Sequence, residues 1–152
     1  MVVRDRIQLK GQPFKVSFSE AQGSESLLVL NTRGYISRVD LDTREVVAQS
    51  PILRQGIMTA VVNPEGTRLL TWYTSGSTLY VLDTSTLEVL ARLKCGTNLG
   101  VALFSHDGRQ AIVSAVQSRR VCIVDMESLD IVHKIAFPKA IGHLSLLSLI
   151  HI

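Results

Sequence analysis

Three aspartates, Asp40, Asp83 and Asp125, stand 43 and 42 residues apart, each followed three residues on by a hydroxyl (Thr43, Thr86, Ser128) and five residues on by an acid (Glu45, Glu88, Asp130). Carboxylates can act as general acids or bases, or as ligands of a hard cation, if the fold gathers them in one place. Their regular recurrence argues for another task. A residue type repeated in every unit of a chain holds the unit together, here as a turn cap whose short side-chain oxygen bonds nearby backbone N–H groups. Asp40, Asp83 and Asp125 are therefore read as structural turn residues, and no catalytic, cofactor-binding or metal-ligating residue is assigned in the chain.

The other reactive side chains form no constellation. His106, His133, His143 and His151 are not paired at ligand spacing with another His or Cys. Cys95 and Cys122 have no C-x-x-C neighbour and occupy different places in their repeats, so they are expected as buried free thiols. No G-x-S-x-G, H-E-x-x-H or phosphate-binding loop occurs, and Ser75-Gly76-Ser77 is a hairpin loop rather than a phosphate cradle because no helix follows it. No cofactor is expected.

Composition narrows the partners. The chain is 46% hydrophobic and 19% charged, enough apolar material for a core and too little charge for a disordered tail. Arg4, Arg6, Lys10, Lys15 and the pair Arg119-Arg120 lack an accompanying aromatic series. With 16 basic against 13 acidic residues the net charge is only +3, so nucleic acid is not an expected partner. No apolar run approaches the roughly 20 residues of a membrane helix. Met1 to Gln8 carries Arg4, Asp5 and Arg6 with no apolar stretch behind, so no signal peptide is visible.

What must position the aspartates is a repeat. Gly23, Gly66 and Gly108 each precede an anchoring aspartate by 17 residues, and Gly56, Gly100 and Gly142 close the units. Gly66 and Gly108 lie in the turns Asn63-Pro64-Glu65-Gly66 and Ser105-His106-Asp107-Gly108, where glycine supplies a positive φ. In the middle unit the patterning predicts strands at Met58–Val62, Arg68–Tyr73, Thr78–Leu82 and Leu87–Leu93. No segment sustains a helical period. Four short strands in about 42 residues are the build of one β-propeller blade.

The string Val81-Leu82-Asp83-Thr84-Ser85-Thr86-Leu87-Glu88-Val89-Leu90-Ala91-Arg92-Leu93 resembles the strand-turn-strand of YVTN-type β-propeller repeats, a group close to the surface-layer and cytochrome d1-like propellers. Pro64-Glu65-Gly66-Thr67-Arg68-Leu69-Leu70 is similar to the opening that precedes the second strand in those repeats. Leu70-Thr71-Trp72-Tyr73 and Ile112-Val113-Ser114-Ala115 depart from the Tyr-Val-Thr-Asn core, while Asn31 stands about where that asparagine belongs. WD40 repeats fit less well: Val39, Leu82 and Val124 occupy the position of their tryptophan, and Gly142-His143 is the single Gly-His pair.

The expected architecture is all-β, a propeller fragment of about three four-stranded antiparallel blades in an open arc. Residues 1–13 are a lead-in or partial outer strand, 14–56, 57–100 and 101–142 the blades, and 143–146 the first strand of an incomplete fourth. Residues 147–152, Leu-Ser-Leu-Ile-His-Ile, break register and match the translation of CTGTCTCTTATACACATC, a sequencing-library adapter. They are read as adapter read-through, the alternative being a strand of that fourth blade. Trp72 and Tyr73 either line a propeller face or fill the wedge between blades. The resemblance implies a binding or scaffold module holding a protein or small ligand at a propeller face, with the remaining blades of the parent protein as further partners. The alternative it implies is part of a lactonase-, quinoprotein- or haem d1-like propeller, a group often exported, with site residues mainly in other blades.

Overall fold

The structure, a computed structural model, describes residues 6–21, 24–53, 56 and 58–139. These form three four-stranded sheets, and no described residue is helical. Sheet 1 holds β1 (Pro13–Ala21), β2 (Ser24–Asn31), β3 (Ile36–Asp40) and β4 (Val46–Gln49). Sheet 2 holds β5 (Met58–Val62), β6 (Arg68–Tyr73), β7 (Thr78–Asp83) and β8 (Val89–Lys94). Sheet 3 holds β9 (Leu99–Phe104), β10 (Gln110–Ala115), β11 (Arg120–Asp125) and β12 (Asp130–Ala136). Within each sheet the strands lie in chain order and pair antiparallel.

The middle sheet is apolar on both faces because it is covered on both. Side chains alternate across a strand, so each strand of sheet 2 sends one set to each neighbour. Leu69, Tyr73 and Leu82 join Leu28, Leu30 and Ile36 of sheet 1 in one core. Leu70, Trp72, Leu79 and Val81 join Ala111, Val113 and Val124 of sheet 3 in the other. Registers Leu69↔Leu82, Leu70↔Val81 and Trp72↔Leu79 keep each set in one layer. Trp72 and Tyr73 thus both lie between blades, on opposite faces of one strand. Trp72 is 2% exposed and its indole Nε1–H donates to the Gly100 carbonyl at 3.2 Å.

Two expectations are corrected. The fourth strand of sheet 2 starts at Val89, not Leu87. Leu87 has φ 60° and lies in the turn, where its buried side chain joins the core shared with sheet 1. Arg44 (φ 62°) and Leu129 (φ 55°) occupy the same place in the other sheets. A left-handed residue lets the chain reverse, and a register shift follows in each third–fourth strand pair. The second correction concerns Cys95 and Cys122, which are not free thiols but a disulfide. Their places in separate repeats hid this, because the bond joins two sheets. Cys95 leaves β8 toward sheet 3 and meets Cys122 of β11 across the core.

Candidate functional site

The strand-reversing turns of β5–β6, β9–β10, β3–β4, β7–β8 and β11–β12 share one end of their sheets and make a polar rim. Asp40 Oδ1 accepts the N–H groups of Asp42 (3.0 Å) and Thr43 (2.8 Å) and the Thr43 hydroxyl (3.1 Å). Asp83 Oδ1 accepts the N–H groups of Ser85 (2.8 Å) and Thr86 (3.1 Å) and the Ser85 hydroxyl. Asp125 Oδ1 accepts the N–H groups of Glu127 (3.1 Å) and Ser128 (2.7 Å) and the Ser128 hydroxyl (2.9 Å). Each carboxylate thus bonds within its own turn, between the third and fourth strands of its sheet.

These bonds set the electrostatics, because a carboxylate accepting several N–H and O–H groups is held in its charged form. For Asp83 the largest influence, burial, raises the carboxyl. The Ser85 hydroxyl, the backbone of Thr86 and Ser85 and the Arg68 guanidinium outweigh it and leave the carboxyl below its ordinary value. The guanidinium Nη1 lies 3.1 Å from Asp83 Oδ2. For Asp125 the Ser128 backbone N–H leads, then the Ser128 hydroxyl, and the carboxyl is again lowered. Asp107 is lowered first by the Ser105 hydroxyl and next by the Arg109 N–H.

The glycine turns carry a second set of caps. Gly66 (φ 72°) and Gly108 (φ 68°) take the left-handed conformation, while Gly23 lies outside the described residues. Gly100 falls inside β9. Buried Asn63 accepts the N–H groups of Thr67 and Arg68, both at 2.8 Å, and donates to Thr67 Oγ1 at 3.1 Å. Ser105 does the equivalent work, accepting from Gln110 N–H at 3.0 Å and donating to Asp107 at 2.6 Å. Thr84 donates its hydroxyl to the Gly66 carbonyl, tying the two kinds of turn together. Asn63, Ser105 and Thr84 were not singled out from sequence. The signal for the first two was a short polar side chain three residues before each glycine.

Between the turns of sheets 2 and 3 runs a cleft of about 230 Å³, whose lining includes Glu65, Arg68, Asp107, Arg109 and Glu127. It brings Asp125 near these groups, but Asp40 and Asp83 do not line it. Among the described residues no three His, Cys, Asp or Glu side chains are placed to hold a metal ion. His106 lies in the β9–β10 turn and His133 on β12, while His143, His151, the end of the third unit from residue 140, the fourth-blade strand 143–146 and the adapter segment 147–152 lie outside the described residues. No described helix is long and apolar enough to cross a membrane.

Comparison with protein-family models gives no match, and comparison with curated proteins gives none either. Solved structures do match. One is titled dihydro-heme d1 dehydrogenase NirN in complex with DHE, with TM-score 0.73 and 24% identity over 90% of this chain and 31% of that one. Kuenenia stuttgartiensis hydrazine synthase matches with TM-score 0.69 and 21% identity over 91% of this chain and 39% of that one. The Myceliophteria thermophila Cps50 (Swd1) β-propeller domain matches with TM-score 0.61 and 17% identity over 82% of this chain and 43% of that one. The chain therefore spans well under half the length of these neighbours. The three sheets are blades of a partial β-propeller, and the arc is not closed.

Proposed function

We propose that the chain is the binding or scaffold part of a β-propeller whose turn rim receives a charged segment of a protein partner. The observation that carries this reading is the cleft between sheets 2 and 3. At about 230 Å³ it falls below the usual size of small-molecule pockets, and it mixes the charges of Arg68 and Arg109 with those of Glu65, Asp107 and Glu127. Such a groove suits side chains of an extended or looped protein segment, with charge complementarity setting the register. The rim aspartates favour the same reading. The carboxyls of Asp83 and Asp125 are lowered by the bonds of their turns, whereas a general acid working near neutrality needs a raised one.

The test is a peptide array of mixed-charge sequences probed with the protein and with the charge-reversed variants Arg109→Glu and Glu127→Arg. Specific peptides should bind, and each reversal should weaken them by about tenfold or more. No binding, or binding indifferent to both reversals, would overturn the reading.

The second reading is a blade set of a catalytic or redox propeller, supported by likeness to structures titled as a haem d1 dehydrogenase and a hydrazine synthase. It would place the reacting groups mainly on other blades. The absorption spectrum of the complete protein, isolated from its source, separates the two. A haem or quinone chromophore would favour the second.

A further inference from the structure

We infer that the end of the three sheets opposite the aspartate rim is a docking surface for an anionic lipid bilayer. This holds whichever partner the rim receives. The net charge of +3 conceals a segregation along the strands. Among the described residues every aspartate and glutamate lies at the rim end. Glu20 and Glu25 pair next to the Ser26↔Asp40 step, and the others stand in the rim turns or beside them. Acids collect there because short carboxylates cap those turns. The other end is basic. It carries Lys15 near the start of β1, Arg33 in the β2–β3 turn and Lys94 at the end of β8, with Arg119 and Arg120 at the β10–β11 turn and Lys139 beyond β12. All six are exposed except Arg120, which is half-buried.

The backbone sets exposed apolar side chains beside these cations. Leu53 N–H donates to the Gly34 carbonyl at 2.8 Å and Gly56 N–H to the Thr32 carbonyl at 3.2 Å, so the segment leaving β4 lies along the turn that carries Arg33. Ile52 in that segment is 68% exposed, more than any other large hydrophobic residue described. In sheet 3, Phe137 N–H donates to the Arg119 carbonyl at 2.8 Å and Arg119 Nη1 to the Pro138 carbonyl at 3.4 Å. Phe137, 42% exposed, and Lys139 thus flank the turn of Arg119.

Arginine and lysine next to an exposed isoleucine or phenylalanine match the boundary of an anionic bilayer. The cations meet headgroup phosphates while the apolar side chain passes below them. The six cations come from three sheets and stand at different places in their repeats. Mobile lipids can gather to such a pattern, whereas a phosphodiester backbone or a folded acidic protein offers charges at fixed spacing. A soluble polyanion also gains nothing from Ile52. The acidic rim is repelled by the same bilayer, which fixes the orientation with the rim turned to solvent.

The test is co-sedimentation of the full chain with vesicles of phosphatidylcholine, alone or with one-third phosphatidylglycerol. Binding should need the anionic lipid and weaken as salt rises. Arg33→Glu, Arg119→Glu and Lys139→Glu made together should weaken it at least about tenfold. The same change of charge made away from this end, as Arg44→Glu, Arg92→Glu and Lys134→Glu, should weaken it by less than about threefold. Ile52→Ser, which leaves the charge unchanged, should weaken it about threefold or more. Equal binding to phosphatidylcholine alone, equal losses from the two triple variants, or indifference to Ile52→Ser would overturn the inference. Failure to bind the vesicles, with polyglutamate or duplex DNA bound through Arg33, Arg119 and Lys139 instead, would assign the end to a soluble polyanion and overturn it equally.

Discussion

Cys95 and Cys122 are bonded with a Cα–Cα separation of 5.8 Å and tie the segment leaving sheet 2 to the third strand of sheet 3. They lie 27 residues apart in the chain, and both sulfurs belong to the core between the two sheets. The bond and the packing therefore hold the same interface.

Closing a loop of this length removes about 3.5 kcal/mol of unfolded-chain entropy at room temperature. Reduction, or the double change Cys95→Ala and Cys122→Ala, should lower stability by about 2–4 kcal/mol. Urea unfolding with and without a reductant measures it. Alkylation before and after reduction should label no thiol in the native protein and two in the reduced one. Such bonds persist in oxidising compartments, so protein made in a reducing cytosol should show the lower stability.

The left-handed turn residues separate backbone strain from burial. Arg44 and Leu87 share the same conformation, but Arg44 is exposed and Leu87 is 1% exposed in a core. Arg44→Gly should raise stability by up to about 1 kcal/mol, because glycine adopts a positive φ without the steric cost. Leu87→Gly should lower it by about 2–4 kcal/mol despite the same relief, since the core loses a leucine side chain. Opposite signs in chemical denaturation are the check.

Asp83, Asp107 and Asp125 have folded-state carboxyls below the ordinary value of 3.8. A lowered carboxyl stabilises the fold while charged, so the contribution is complete above about pH 5 and is lost as pH falls through the lowered value. The stability difference between wild type and Asp83→Asn or Asp125→Asn should be constant above that pH and shrink below about pH 4. Stability measured across acid pH tests the sign.

Gly100 and Trp72 offer two local probes, one of packing within sheet 3 and one of its contact with sheet 2. A Cβ there would lie 2.8 Å from Val116 Cγ2 and 2.9 Å from Ser114 Oγ, and the Gly100 carbonyl accepts the Trp72 indole N–H. Gly100→Ala should cost about 1–3 kcal/mol through overpacking. Trp72→Phe should cost about 1–3 kcal/mol by removing the donor and part of the ring.

Sequence alone determined that this chain is built of four-stranded units repeating every 42 or 43 residues, because turn chemistry is local. An aspartate followed by a hydroxyl, or a glycine after an asparagine and a proline, specifies its turn through atoms only a few residues away. The strands Met58–Val62 and Arg68–Tyr73 were legible for the same reason, since their apolar runs end at those turns. Leu87 was misread because an apolar residue in step with Val89 and Ala91 looks like strand, while its backbone obeys the turn. Tertiary structure alone decided three matters: that Trp72 and Tyr73 fill opposite interfaces, that Cys95 reaches Cys122, and that Glu65, Arg68, Asp107, Arg109 and Glu127 border one cleft. Each depends on how one sheet stacks on the next, which brings together residues a whole repeat apart and leaves no mark in the spacing within either repeat.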